Sequence, residues 1–276
     1  LAALESGKFD VNSKIDTSPG YINVANKIFE DSHDYGLLDL GGVLRKSSQV
    51  GTIKLALALN PDSTRELFER MGFGESIGTR FPSETSGNLP VHPNWDPVTQ
   101  ATFAFGYGLS ASPLQLARAY AILASNGDRK DVSLLALEAP PESTNVADPK
   151  LVKQVRQMLH DASSDQGTGK RAMIEGYSVG GKTGTTQKIK ASGGYDGNRH
   201  MSVFAGLSPI DKPRLVTVVV IDEPSESAYY GGLVAAPIFS EVTGNALHLL
   251  QVTPDQIDAN RTIESLLAVS KKRGDS

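Results

Sequence analysis

Lys182-Thr183-Gly184-Thr185 puts a cation, two hydroxyls and a position without a side chain into four consecutive residues. Read as a strand, the alternation sends Thr183 and Thr185 to one face. The glycine between them lets a ligand approach the backbone, and Lys182 brings positive charge to the start. Such an edge suits a carboxylate. The same lysine completes Gly176-Tyr-Ser-Val-Gly-Gly181-Lys182-Thr183, which fits a phosphate-binding loop, and Leu215 to Asp222-Glu223 imitates the apolar strand whose terminal acid holds magnesium. That loop requires a helix starting at the lysine, so that its first amides cradle phosphate. The stretch from Gly184 to Gly194 has three glycines and no apolar face, which argues against nucleotide chemistry. A third pattern, Gly74-Glu-Ser76-Ile-Gly78, fits a hydrolase nucleophile elbow, but a helix precedes it and a long loop follows where a strand and then a helix are needed. The five histidines, at 33, 92, 160, 200 and 248, lack the i, i+4 spacing of a helical metal pair, so neither a metal nor a cofactor is expected.

The elements around these residues can be read from periodicity and punctuation. Leu1 to Gly7 reads as the last turn or two of an apolar helix closed by glycine, and predicts a chain that begins inside a longer helix. Residues 8–38 are turn-rich, with Tyr21 to Val24 alternating as a short ribbon. Ser47 lies between two helical pieces, the second running from Val50 to Leu59 and stopped by Asn60-Pro61. Asp62 or Ser63, with Glu66 in the capping-box position, predicts the next helix start, and Gly72 its end. Residues 73–97 read as loop. Helices follow over Leu114 to Ser125, opened by Ser112-Pro113, and from Asp148-Pro149 to about Asp161. The period then changes, and 177–187, 200–207 and 214–222 are rich in Val and Thr. Joins as short as 209–213 permit only antiparallel neighbours. A helix over Val234 to Leu250 completes a domain of residues 1–250, followed by a polar tail, 251–276, ending in Lys271-Lys272-Arg273. Helices, then an antiparallel sheet, then a helix define an α+β fold.

Composition narrows the function. Of 276 residues, 27 are Lys or Arg and 31 are Asp or Glu, and the net charge of −4 lacks the basic excess of a nucleic-acid binder. The absence of cysteine removes disulfides, thiolate nucleophiles and Cys-based zinc sites together. The strongest apolar run, Leu215 to Ile221, contains Thr217 and is far short of the ~18 residues of a membrane span.

Ser47-Ser48-Gln49 lies 135 residues before Lys182, and the segment from Phe103 through Tyr107-Gly108 and Ser112-Pro113 to Gly127 is long and distinctive. With Lys46-Ser-Ser-Gln-Val-Gly51, Gly181-Lys-Thr-Gly-Thr-Thr186, Arg199 to Ser208, Val218-Val-Val-Ile221 and Tyr229-Tyr-Gly-Gly232, the pattern resembles the transpeptidase domain of penicillin-binding proteins. Within them it is most similar to the class B, cell-division type, over nearly the whole chain from Ala2 to Leu250. The resemblance implies an antiparallel sheet with helices on both faces. It also implies a D,D-transpeptidase that cross-links peptidoglycan stem peptides through an acyl-serine, is acylated by β-lactams, works with division-complex membrane proteins, and sits in the periplasm on an inner-membrane anchor.

The family's roles carry over by residue. Ser47 resembles the serine of the Ser-x-Asn motif, which helps move a proton to the leaving group, and Lys182 the lysine of the third motif, which places charge near the substrate carboxylate. Thr183 and Thr185 resemble the hydroxyl contacts to that carboxylate, with Gly184 between them and the Thr185 amide forming half of an oxyanion hole. Tyr107, Tyr229 and Tyr230 resemble cleft walls. Gln49 departs from the family's asparagine by one methylene, and no serine is followed three positions later by lysine, so the family's Ser-x-x-Lys nucleophile is absent from these 276 residues. The expectation is that it belongs just upstream of Leu1. A serine β-lactamase shares the motifs, and a non-catalytic peptidoglycan- or partner-binding module would fit the missing serine. The 135-residue separation and the Phe103 to Gly127 segment favour the penicillin-binding protein over the β-lactamase.

Overall fold

The computed structural model describes residues 1–190, 192–225 and 229–256. One helical turn, α1 (Ala2–Glu5), opens the chain, and Gly7 beyond it takes the left-handed position the sequence predicts, at φ +69°. Two small antiparallel ribbons are nested: β1 (Ile15–Asp16) pairs with β4 (Leu37–Leu38), and between them β2 (Tyr21–Val24) pairs with β3 (Lys27–Glu30). Next come α2 (Leu40–Lys46), α3 (Gln49–Leu57) and α4 (Pro61–Arg70). The cap of α4 is Asn60, not Asp62 or Ser63. Its Oδ1 accepts from the Asp62 amide at 3.1 Å, and Pro61 fills the first helical position, where no donor is needed.

The short helix α5 (Pro97–Phe103) is not predicted by periodicity, because seven residues hold too few apolar repeats. Asp96 caps it by accepting from the amides of Val98 and Thr99. The next two helices start on the Ser-Pro and Asp-Pro signals: α6 (Pro113–Ala124) with a reciprocal Ser112–Gln115 capping box, and α7 (Pro149–Ala162) on Asp148. Between them β5 (Asp128–Lys130) pairs with β6 (Ser143–Asn145).

The main sheet has three antiparallel strands in the order β7 (Gly180–Ile189), β8 (Tyr195–Ser208), β9 (Leu215–Asp222); β7 is shifted toward the turn relative to the expected 177–187, and β8 is longer than the expected 200–207, so the first hairpin is tighter than expected. The last helix, α8 (Gly231–Leu249), starts three residues earlier than its apolar run and packs on one face of the sheet. There Phe204 and Phe239, both fully buried, meet with ring centroids 4.7 Å apart, each contributing about 1.5–3 kcal/mol by burial. Thr217, the polar interruption of the β9 run, accepts from the Thr243 hydroxyl of α8 at 2.8 Å. On the other face, Ile122 of α6, Val152 and Leu159 of α7, and Leu207 of β8 form a second cluster. Helices therefore cover both faces, as expected for this α+β fold.

Residues 251–256 pack back on the sheet: the Tyr177 hydroxyl donates to the Val252 carbonyl at 2.6 Å, and the Asp255 carboxylate accepts from the Ser178 amide at 2.8 Å. The remainder of the tail, 257–276, lies outside the described residues. No helix of the described residues is long and apolar enough to cross a membrane.

Candidate active site

Ser47 sits at the joint between two helices. It is the C-cap of α2 in the left-handed conformation (φ 57°, ψ 40°), and Ser48 is the N-cap of α3, its Oγ accepting from the Gly51 amide at 2.9 Å. The chain can reverse there because Ser48 donates its amide to Val43 O at 3.0 Å while its carbonyl accepts the first α3 hydrogen bond, from Thr52.

Sequence reading missed the group that fixes this joint. The carboxylate of Asp31, just past β3, accepts from Ser48 Oγ at 2.5 Å and from the amides of Gln49 and Val50 at 2.6 and 3.2 Å. It lies where a helix N-terminus favours negative charge. The β2–β3 ribbon that delivers Asp31 is held against α3 and α5 by a cluster of Val24, Phe29, Ile53 and Ala101. An aspartate 17 residues from the serine it binds leaves no mark in local pattern.

From the sheet, Lys182 of β7 reaches this joint. Its Nζ donates to Ser47 Oγ at 2.8 Å, to Thr183 O at 3.1 Å and to Thr183 Oγ1 at 3.2 Å. All three donors are thereby satisfied by neutral acceptors. Desolvation by burial lowers the lysine from its ordinary 10.5 to about 8. Among the described residues the ammonium has no carboxylate within ion-pair distance; its partners are the hydroxyls of Ser47 and Thr183 and the Thr183 carbonyl.

Thr183 donates in turn to Thr168 Oγ1 at 3.1 Å, a third hydroxyl the sequence did not single out. Thr185 Oγ1 accepts from the Gly231 amide at the first turn of α8, 3.1 Å away. A Cβ at Gly231 would fall 2.4 Å from Val203 O and 2.5 Å from Gly184 O, so only glycine lets the helix start against the strand. The Gly-Gly pair before Lys182 has a similar origin. A Cβ at Gly181 would lie 2.5 Å from the Phe204 ring. This is close packing of an extended strand, and the phosphate-loop match is coincidental.

Ser47, Gln49, Thr183 and Thr185 line two adjoining cavities. The larger, about 790 Å³, is also bounded by Thr168, Tyr230 and Gly231; the smaller, about 390 Å³, by Tyr107, Lys182 and Gly184. Of the expected walls, Tyr230 faces the large cavity and Tyr107 the small one, the latter with its ring edge-on to Tyr195 at 4.8 Å. Tyr229 lines neither. Its ring stacks on His200 at 4.1 Å and its carbonyl accepts from Ser202 Oγ, which anchors the chain ahead of α8. Gln49 is exposed and uses its backbone amide, not its side chain, in the joint. Ser76 is no nucleophile elbow: its hydroxyl donates to Glu84 at 2.6 Å, and that carboxylate, drawn down to about 2 by the hydroxyls of Ser76 and Thr79 and the loop amides, organises residues 76–79.

The two-helix joint presents Ser47-Ser48-Gln49 to the Lys182–Thr185 edge of an antiparallel sheet, and the penicillin binding protein transpeptidase domain matches residues 1–244. The chain belongs to that family. It is 39% identical over 252 residues to a probable peptidoglycan D,D-transpeptidase PenA of Neisseria flavescens, covering 91% of this chain and 62% of that one. It is 37% identical over 257 residues to the peptidoglycan D,D-transpeptidase FtsI of Escherichia coli, covering 93% and 43%. The chain thus spans about half the length of the curated relatives it matches. Among solved structures, the transpeptidase domain of Burkholderia pseudomallei penicillin-binding protein 3 superposes with a TM-score of 0.87 at 35% identity, covering 93% of this chain and 78% of that one.

Proposed function

We propose that these residues form the proton-handling and carboxylate-binding side of a serine D,D-transpeptidase centre in a cell-division penicillin-binding protein. The Ser-x-x-Lys nucleophile would be supplied by residues outside this sequence. The observation that carries the reading is the 2.8 Å bond from Lys182 Nζ to Ser47 Oγ, which joins two motifs 135 residues apart into one polar cluster. In this reading the C-terminal carboxylate of a stem peptide lies against the Thr183 and Thr185 hydroxyls, where it gives the partly desolvated Lys182 its missing countercharge. The penultimate D-Ala carbonyl then meets the serine, with the Thr185 amide as one oxyanion donor. Ser47, bonded to Lys182, passes a proton to the departing D-Ala amine, and a second stem's amine completes the cross-link.

β-Lactams acylate the same serine, and the family's setting adds a membrane anchor, a periplasmic location and division-complex partners. A fluorescent penicillin followed by intact mass spectrometry tests the reading. The full-length protein should form a covalent adduct and the 276-residue chain none. A stable adduct on the chain alone would mean that the nucleophile has been misassigned.

A further inference from the structure

The large cavity has a wall that the reaction above leaves unused. From the end of β3 onward, Glu30, Asp31, Ser32 and Tyr35 line it. Two aspartates pin this loop. The Asp31 carboxylate is held by the start of α3, and Asp34 Oδ1 accepts from Ser18 Oγ at 3.1 Å and from the Gly36 amide at 2.9 Å. Between these anchors three side chains form a row: Tyr35 Oη lies 2.8 Å from Ser32 Oγ, which lies 3.2 Å from His33 Nδ1. Among the described residues the two hydroxyls bond only within this row. It begins at a half-buried tyrosine on the cavity and ends at an exposed imidazole.

We propose that Tyr35, Ser32 and His33 relay a proton away from the amine that attacks the acyl-serine. The inference rests on the transpeptidase reading and deepens its last step. An amine reaches the cavity as an ammonium, which has no lone pair until a proton leaves. Tyr35 Oη accepts that proton while its own hydrogen passes to Ser32 Oγ and that of Ser32 to His33 Nδ1, since each hydroxyl can donate and accept at once. The exposed imidazole, the commonest general base of active sites, returns the proton to solvent. The freed lone pair then forms the C–N bond to the acyl carbon and the ester C–O bond breaks. The amine's second proton reaches the serine oxygen through Ser47, which Lys182 holds at 2.8 Å. The aspartates of the loop are committed to anchoring it, so Glu30 is the competing base on this wall.

The full-length protein is to be acylated with a thioester of an N-acyl-D-alanine and the acyl-enzyme offered D-alanine together with hydroxylamine. At neutral pH the first arrives as an ammonium and the second as a neutral amine, so only D-alanine needs the relay. The ratio of transfer to D-alanine over transfer to hydroxylamine is independent of how much acyl-enzyme forms, and a variant that folds poorly or acylates slowly still reports it. That ratio should fall by about 10- to 100-fold in His33→Gln and in Tyr35→Phe, the lower part of the range for a lost general base. A ratio unchanged in either variant overturns the relay and leaves the transpeptidase reading standing. A fall in Glu30→Gln without one in His33→Gln gives the proton to that carboxylate and overturns it as well. Failure of the unsubstituted protein to form the acyl-enzyme would overturn both.

Discussion

Replacing Asp31 by Ala tests whether the joint, and not Ser47 alone, is the working unit. Three bonds go at once, from Ser48 Oγ and the amides of Gln49 and Val50. Bonds to a charged acceptor are worth about 1.5–3 kcal/mol each in buried settings. Asp31 is only partly buried, however, and water can take over both amides, while Ser48 still caps α3 through Gly51. The expected loss is therefore that of one good cap, about 1–2 kcal/mol, or a fall of about 2–8 °C in unfolding midpoint for a protein of this size. The effect on reaction should be larger. Ser47 is held in the left-handed region between two helices, and a shift of about 1 Å in its hydroxyl relative to Lys182 costs on the order of 10²-fold. In the full-length protein, Asp31→Ala should slow penicillin acylation by about 10- to 100-fold under conditions where thermal unfolding shows the protein fully folded. Asp31→Asn keeps an oxygen for the two amides and should fall between. Stopped-flow acylation beside a thermal melt separates the quantities. An Asp31→Ala protein that melts lower but reacts at the unsubstituted rate would refute the coupling of this carboxylate to Ser47.

Lys182 predicts two opposite pH dependences. Because its folded value of about 8 lies below its ordinary 10.5, the cost of burying the charge is fully present below pH 8 and is relieved as pH rises toward 10.5, so this group makes folding more favourable over that window. Acylation by a carboxylate-bearing β-lactam needs the charged form and should fall above pH 8; Lys182→Arg should carry that limb past pH 10, and a limb that stays at 8 in the Arg variant would rule the lysine out. Gln49→Asn should raise the acylation rate by severalfold, since the exposed glutamine must order one extra rotor, at about 0.5–1 kcal/mol, to reach where asparagine reaches directly; a slower Asn variant would show a site adapted to glutamine. Gly231→Ala should force α8 away from β7, lowering stability by about 1–3 kcal/mol as overpacking does and slowing acylation with it; a variant as stable and as fast as the parent would mean that the helix start is free to shift.

The parts of this protein legible in its sequence are those whose cause is local. Ser112-Pro113 and Asp148-Pro149 announce their helices because capping and the fixed proline torsion act within one turn, and the Val- and Thr-rich segments announce antiparallel strands because their joins are too short for anything else. The Lys-Thr-Gly-Thr edge reads correctly as a strand for the same reason, and the glycines before it resist a local reading because what excludes a Cβ at Gly181 is Phe204, 23 residues on. The polar cluster divides the same way. Ser47 and Lys182 become partners only by resemblance, since nothing in either segment encodes a contact across 135 residues. Asp31, Thr168 and the Gly231 amide, which hold Ser48, Thr183 and Thr185 in position, were not legible at all. Each is a single polar group on a ribbon, a turn or a helix start, and its role follows from where packing of the hydrophobic clusters brings it. The groups that would act on substrate sit in compact motifs, whereas the groups that aim them are scattered. Substitutions at the scattered set should therefore alter acylation rates while every motif stays intact.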